Sequence, residues 1–331
     1  MNSPSPRLSV MLLLLVFACA STIAGTDSPL VEKIPGAVYP EVNTARPDLP
    51  SPFMDGKGEE YIIAVTKNDE YAIVPVTLGD DRDFGPQLRA GGKDFPALAA
   101  TGLHSEKELS GLKTITGRPL AEITALGRPG GLSHDGFMAA DEEILSVIRG
   151  DDGLVRRMGL THPRLARPLF HVLNLMEADL ALGRWNMAHH AWEHIKGIIY
   201  NGRVVSVEAF DTKGGQQSIF DDGITGAFHL KLWREPDSEE MRYLKKKYGH
   251  LPQEAFERMV RTLSFFNTGE MEPQYIMRYG FYEGHTDWRA DPVAIAFIFG
   301  LKRLPELDQA FEGELHEVLS RHFTEQQHRN R

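Results

Sequence analysis

The chain has 331 residues, a formal net charge of −10 and a single cysteine, Cys19. An acidic surface repels the phosphate backbone of nucleic acids, so we expect no nucleic-acid partner. A single cysteine excludes intrachain disulfides and zinc sites built from several cysteines.

Residues 1–24 are typical of an export signal. A short polar start with one cation, Arg7, precedes the apolar run Leu8–Ala18, and small residues follow as far as Ala24. The apolar run is too short to remain in a bilayer as a spanning helix. We therefore expect an exported protein that is periplasmic or extracellular.

Cys19 leaves two forms of the exported protein open. The segment Val16–Cys19 resembles the cleavage box of bacterial lipoproteins, which implies that Cys19 becomes a lipid-modified first residue and tethers the protein to a membrane. Cleavage after Ala20 or Ala24 would instead discard it. No later run reaches the eighteen or more apolar residues of a membrane helix, so Cys19 is the only expected tether.

Residues 25–55 are rich in proline, which fixes φ and removes backbone donors, so they are predicted to form an extended arm. Residues 56–331 are predicted to form one globular α+β body, with a possible sub-boundary near residue 201. Its class is expected to be a mostly helical body with a central buried helix pair and two small antiparallel β regions.

The first β region is a predicted hairpin. Tyr61–Thr66 and Tyr71–Leu78 are rich in β-branched and aromatic residues and are separated by four polar ones. Pro75 cannot donate to a strand ladder, so the second strand is expected at an edge. The second β region comprises Arg203–Phe210, Gln216–Phe220 and Phe228–Trp233.

The predicted helix pair lies between these β regions. Leu169–Leu182 is apolar on nearly every side, and Trp185–Tyr200 has an amphipathic helical pattern. Ser105 and Glu108 form a predicted capping box at the start of a short helix. Further helices are expected at Asp141–Arg149, Glu239–Lys247, Gln253–Phe266 and Pro305–Phe323.

The glycine-rich segment 127–136 is one candidate site loop. Its sequence includes Ser133, His134 and Asp135, the residue types of a hydrolytic triad, but neighbours in sequence rarely converge on one atom. We therefore take His134 and Asp135 as candidate substrate-binding residues that reach into a shared pocket.

The segment His190–His194 has the pattern His-x-x-Glu-His, which resembles the inverted zinc-protease signature. The resemblance implies a zinc ion held by His190 and His194, with Glu193 activating water. The alternative is a polar helix face. His162-Pro163 is interpreted as a turn before a helix, and His171 as a core residue satisfied by a hydrogen bond.

Residues 283–291 are the second candidate site loop. Glu283, His285 and Asp287 are residue types that donate and accept protons, so we take them as candidate catalytic residues. Apolar stretches flank the segment on both sides and are expected to bring it out of the core.

The same segment carries candidate substrate-binding residues. Trp288 offers a flat ring for a sugar, and Arg289 offers a fork of N–H donors for an anionic group. Asp291-Pro292 is a favourable helix start, because aspartate caps free amides and proline suits the first helical position.

These patterns favour a hydrolase that acts on cell-envelope or extracellular polymers as the expected function. Two alternatives stay open: a non-catalytic envelope lipoprotein that binds an unknown envelope or extracellular ligand, and a zinc-dependent hydrolase. No nucleotide cofactor is expected, because the chain lacks a phosphate loop and a dinucleotide fingerprint. Loops 127–136 and 283–291 should line one cavity in an enzyme and lie on separate surfaces in a binding protein.

Overall fold

A computed structural model describes residues 51–76, 104–181, 185–186, 191–192 and 194–321. The predicted signal, Cys19 and the arm up to residue 50 lie outside these residues. The described part is a mixed α+β fold, in which helices pack on one large antiparallel sheet. None of its helices has both the length and the apolar character needed to cross a membrane.

The described strands form one nine-stranded sheet and one small two-stranded sheet. The strands are β1 Phe53–Met54, β2 Glu60–Thr66, β3 Tyr71–Pro75, β4 Thr114–Ile115, β5 Arg118–Pro119, β6 Trp185–Asn186, β7 Ala191–Trp192, β8 Ile195–Tyr200, β9 Arg203–Gln217, β10 Thr225–Trp233 and β11 Phe265–Gly269. The large sheet runs in the order β1-β2-β8-β9-β10-β11, with β3 paired to β2, β7 to β9 and β6 to β7. Strands β4 and β5 form the small sheet.

Ten helices surround the large sheet in the described chain. They are α1 Glu106–Gly111, α2 Leu120–Gly127, α3 Ile144–Arg157, α4 His162–Ala181, α5 Ser238–Tyr248, α6 Gln253–Ser264, α7 Glu272–Tyr279, α8 Pro292–Ile298, α9 Leu304–Ala310 and α10 over residues 315–321. Helix α8 is buried along its whole length.

The main core lies between the sheet and these helices. Alternate residues of β2, Ile62 and Ala64, face α4 and α8, whereas Ile63 and Val65 belong to a smaller cluster on the opposite face. This period of two is what a strand imposes on its side chains. Another cluster, around Phe220, packs beneath α1–α3 and includes Tyr275 and Tyr279 from one face of α7.

The prediction of two small β regions is wrong. The hairpin β2–β3 is confirmed, and within the described residues β3 pairs only with β2, as Pro75 requires of an edge strand. However, β2 also pairs with β8, with Ile63 opposite Ile199. Since β8 continues into β9 through the turn at Asn201, the two regions are parts of one sheet.

The prediction of a central helix pair is also wrong. Leu169 does lie in a buried helix, α4, but the segment predicted as its partner contains the strands β6, β7 and β8. Residues Ile195–Tyr200 are mainly apolar and include three isoleucines, and five of the six are buried. Such a short apolar run is compatible with either helix or strand, and pairing on both edges makes it a strand.

Several helix predictions hold with shifted ends. The capping box of Ser105 and Glu108 is present, and Asp291 caps α8 by accepting the N–H groups of Val293 and Ala294. Helix α3 continues through Gly150 to Arg157, beyond the predicted end at Arg149. The predicted helix Pro305–Phe323 is divided by a turn at residues 311–313.

Candidate functional site

Loops 127–136 and 283–291 line one cavity of about 130 Å³, beside the first residues of β10 and the end of β11. This volume has room for several water molecules. The lining residues are Ser133, Asp135, Gly136, Phe137, Gln216, Gly226, Ala227, Phe228, His229, Gly269, Glu270, Met271, Glu272, Glu283 and Trp288. A β-bulge in β10 between Gly226 and Phe228 shapes the wall, where the Glu270 carboxylate accepts the N–H of Ala227 at 2.8 Å.

Two buried glutamates, Glu272 and Glu283, lie in the wall of this cavity. Their exposed fractions are 1% and 7%. Glu272 is the first residue of α7, which places its carboxyl just beyond the end of β11. Neither carboxyl oxygen of Glu272 has a hydrogen-bond partner among the described residues. A buried carboxyl without a partner is costly, and this one lies in the wall of a cavity, which makes it a candidate functional group.

Burial makes both carboxyls reluctant to ionise. Burial raises the pKa of Glu283 to about 8, against the lowering effects of the Thr286 hydroxyl and of Arg289. Burial, and then the charge of Glu283, raise the pKa of Glu272 well above its usual range. The two groups form a pair that keeps at least one proton at neutral pH, because two negative charges in one buried site repel each other.

The backbone holds Glu283 in an unusual conformation. Its φ is +58°, a left-handed value that a residue with a side chain rarely adopts. Thr286 donates its hydroxyl to the Glu283 carboxyl at 3.1 Å, and Arg289 donates to the Glu283 carbonyl oxygen at 2.7 Å. The Thr286 contact fixes the direction of the carboxyl, and the Arg289 contact holds the strained backbone of Glu283 in place.

Arg289 lies behind the cavity wall. Its guanidinium forms a two-point ion pair with Asp151, and its Nε lies 3.6 Å from Asp291. Burial alone would lower the pKa of Arg289, but Asp151 and Asp291 raise it above its usual range. The structure thus places Arg289 in contact with carboxylates and with the Glu283 backbone, and the contacts that hold it are internal to the protein.

Glu142 joins the segment that follows loop 127–136 to loop 283–291. Its carboxylate accepts the N–H groups of Ala139 at 2.7 Å and His285 at 3.0 Å, and it also pairs with His285 Nδ1. Burial would raise the pKa of Glu142, but the His285 side chain and these N–H groups outweigh it and lower the pKa to about 2. A Cβ on Gly284 would lie 2.2 Å from Glu142 Oε2, so only glycine permits this contact.

The remaining predicted residues lie at the rim. His134, Asp135, His285, Asp287 and Trp288 line an outer cleft of about 470 Å³, which shares Asp135 and Trp288 with the inner cavity. The side chains of His134, Asp135 and Asp287 are exposed. The Trp288 ring packs against His229, with 3.9 Å between the ring centroids.

The segment that resembles a zinc-protease signature is not helical where it is described. His190 and Glu193 lie outside the described residues, whereas His194 is half-buried between β7 and β8, and its carbonyl oxygen accepts the N–H of Lys67. In that signature the two histidines share one face of a helix. The described strands therefore do not provide the geometry that the resemblance implies.

A second cluster of ionisable residues lies on the other side of Tyr282. His104, Asp152 and His162 are buried, and the two imidazole rings stack with 5.3 Å between their centroids. His162 contacts Asp152 Oδ1 through Nε2 at 3.0 Å and the Tyr282 hydroxyl through Nδ1 at 2.9 Å. Burial, and then His162, lower the pKa of His104 to about 4.

Hydrogen bonds keep Asp152 ionised in this cluster. Burial would raise its pKa, but the bonds from His162, the His104 N–H and Arg156 outweigh it and lower the pKa to about 2. The Arg156 guanidinium contacts Asp152 Oδ2 at 2.5 Å, while the histidines contact Oδ1.

The sequence did not indicate Glu272, Glu142 or Asp152 as site residues. Glu272-Pro273 reads as an ordinary helix start, where acids are common. Glu142 and Asp152 belong to polar stretches typical of a surface. A related signal was the apolar and aromatic stretch Tyr275–Tyr282 that follows Glu272, because it indicates that the helix beginning at Glu272 is buried.

Comparisons of the chain with protein-family models, with curated proteins and with solved structures found no match.

Proposed function

We propose that the protein is a hydrolase in which Glu272 and Glu283 act as a carboxyl pair. The observation that supports this most directly is the burial of both carboxyls in the wall of one cavity, where Glu272 has no hydrogen-bond partner among the described residues. Paired carboxyls in different protonation states provide a general acid and a general base.

In the proposed reaction the protonated carboxyl donates to the leaving oxygen of the scissile bond. The ionised carboxyl takes a proton from a water molecule, whose oxygen bonds to the reacting carbon as the bond to the leaving group breaks. The cavity of about 130 Å³ has room for this water. The raised pKa of Glu283 makes it suited to the role of acid.

The lining of the cavity favours an uncharged substrate. Among its described lining residues are four acids, Asp135, Glu270, Glu272 and Glu283, and no lysine or arginine. An anionic group would be repelled there. The paired rings of His229 and Trp288 offer an apolar wall suited to a sugar ring, so we propose a neutral, carbohydrate-containing substrate.

The outer cleft supports a polymeric substrate. It is larger than the inner cavity and shares two lining residues with it, so a chain lying along the cleft would present one unit to the carboxyl pair. Together with the expected export signal, this leads us to propose polymers of the cell envelope or the extracellular space as the substrate class.

Glutamine variants test the carboxyl pair. The activity of Glu272→Gln and Glu283→Gln is measured on a panel of envelope and extracellular polysaccharides, by the release of reducing ends. Each variant should lose about 10²- to 10⁴-fold in kcat, the usual contribution of an acid or base. Glutamine keeps the size of the side chain, so thermal unfolding checks that the fold is retained.

Glu314→Gln is the control, because Glu314 is an exposed carboxylate that lines neither the inner cavity nor the outer cleft. It should keep most of the activity. Full activity in both glutamine variants would refute the assignment of the carboxyl pair. Loss of activity only in Asp287→Asn, which changes a carboxylate of the outer cleft, would move the reaction to that cleft.

A further inference from the structure

We propose that His104, Asp152 and His162 form a binding site for one divalent transition-metal ion of the zinc type. Their possible ligand atoms all lie within 4.8 Å of one another, and all three residues are buried. Two imidazoles and one carboxylate are a ligand set that zinc commonly adopts. This inference does not depend on the proposed hydrolase activity.

The spacing of the ligand atoms is close to what a metal ion requires. With zinc–ligand bonds of about 2.0–2.1 Å, tetrahedral ligand atoms lie about 3.3 Å apart. His162 Nε2 and Asp152 Oδ1 are already 3.0 Å apart. The ligand nitrogen of His104 therefore has to move toward the other two ligand atoms by at most about 1.5 Å, and rotation of side chains allows a movement of this size.

The surrounding contacts orient both imidazoles in the way that metal ligands are oriented. His162 Nδ1 contacts the Tyr282 hydroxyl at 2.9 Å, and the His104 ring hydrogen-bonds to the backbone of Tyr279. A histidine that binds a metal through one nitrogen usually donates the other N–H to a nearby oxygen. On binding, the His162 proton would lie on Nδ1, which leaves Nε2 for the metal.

Because Gly280 has no side chain, there is room beside it for the imidazole rings of His104 and His162. Its φ is +62°, and a Cβ there would lie 2.8 Å from His162 Nε2 and 3.0 Å from His104 Nε2. No side chain fits at this position. The backbone of residues 279–282 therefore lies directly against both imidazoles.

A metal ion here would join distant parts of the chain. His104 precedes α1, Asp152 lies in α3 and His162 begins α4, while Tyr282 adjoins Glu283. Because the site is buried, we assign the ion a structural role: it fixes the segment that leads from α7 to the loop carrying Glu283.

The first test measures the metal content of the full chain. Because the site is buried, the protein is unfolded in urea with a chelator and refolded with zinc chloride before gel filtration. Mass spectrometry of the elements should then find about one zinc ion per chain. The melting temperature should rise relative to protein refolded without metal, since an ion that binds only the folded state stabilises it.

Substitutions at the proposed ligands test which residues bind the ion. His104→Gln and Asp152→Asn should abolish stoichiometric zinc, and Tyr282→Phe should weaken binding by about 10- to 100-fold. His171→Gln is the matched control, because His171 is a buried histidine on the same helix as His162 and lies 3.6 Å from the carboxylate of Glu60. It should retain one zinc ion. His194→Gln tests the segment with the zinc-protease pattern and should also retain it.

If a ligand variant fails to fold, a direct measurement replaces it. Anomalous diffraction at the zinc edge, measured on crystals of the refolded wild-type chain, locates the bound ion without any substitution. A peak between His104, Asp152 and His162 supports the proposal, and a peak elsewhere overturns it. A wild-type chain without zinc after refolding overturns it too. The proposal is also overturned if His104→Gln and Asp152→Asn both fold and both still bind one zinc ion. It is overturned as well if only His194→Gln loses the zinc ion.

Discussion

The protonated state of Glu283 should make the protein less stable as the pH rises. In the folded chain its pKa is raised by burial from 4.5 to about 8, so between these pH values the folded protein keeps a proton that the unfolded chain has released. The contribution of this proton to stability is fully present below about pH 4.5. It is lost as the pH rises through about 8.

The size of the effect follows from the same shift. One pKa unit corresponds to about 1.4 kcal/mol, so the free energy of unfolding should fall by roughly 3 to 4 kcal/mol between pH 5 and pH 8 through this one group. That is a large share of the stability of a typical domain, which is about 5–15 kcal/mol. Glu283→Gln removes the ionisation but keeps an oxygen for the Thr286 hydroxyl.

Urea unfolding, followed by tryptophan fluorescence at four pH values from 5 to 8, measures this contribution. The quantity of interest is the difference in unfolding free energy between the wild type and Glu283→Gln, because titrating groups that do not interact with Glu283 cancel in it. The variant should become the more stable of the two as the pH rises. Asp287→Asn, which changes an exposed carboxylate, should follow the wild type.

Parallel stability profiles for the wild type and Glu283→Gln would refute this reasoning. They would mean that Glu283 ionises in the folded protein as easily as in the unfolded chain. In that case burial does not control its charge, and its role as a general acid at neutral pH would lose its physical basis.

Three further predictions concern the surroundings of the carboxyl pair. The kcat of the proposed reaction should fall as the pH rises through about 8, because Glu283 then loses the proton that it donates as the general acid; a rate that is constant from pH 6 to 9 would contradict this. Glu142→Gln should lower the free energy of unfolding by about 1–3 kcal/mol, because it weakens the hydrogen bonds with His285 and with the N–H of Ala139. Denaturant unfolding at pH 7 measures this, and an unchanged value would mean that these contacts do not stabilise loop 283–291. Arg289→Met should cost about 3–5 kcal/mol by the same assay, because it leaves Asp151 buried without its partner, and the double change with Asp151→Asn should recover part of the loss.

Local signals in the sequence predicted local structure well. The capping box at Ser105, the cap at Asp291 and the hairpin with its edge proline all depend on residues that are near neighbours in the chain. Helix caps and tight turns are decided by such neighbours. The sequence also singled out the two loops that line the inner cavity, because clusters of glycine or ionisable residues are visible without knowledge of the fold.

Long-range pairing was the part that the sequence did not reveal. Trp185–Tyr200 has a helix-like pattern, but the edges of β2 and β9 recruit Ile195–Tyr200 as a strand, and nothing within the segment signals those partners. The same limit applies to the site. Glu272 reaches the cavity because α7 begins just after β11 ends. Glu283 reaches the same cavity because its loop lies beside β10, a strand that is distant from it in sequence.

The left-handed backbone at Glu283 has a consequence for how this chain responds to selection. A glutamate at φ +58° costs about 1–3 kcal/mol, and glycine or asparagine adopts this conformation more readily. Directed evolution for heat resistance alone should therefore enrich glycine or asparagine at position 283. The resulting proteins should be more thermostable and should lack the carboxyl. Libraries screened for turnover should keep glutamate there, and the two screens would diverge at this position.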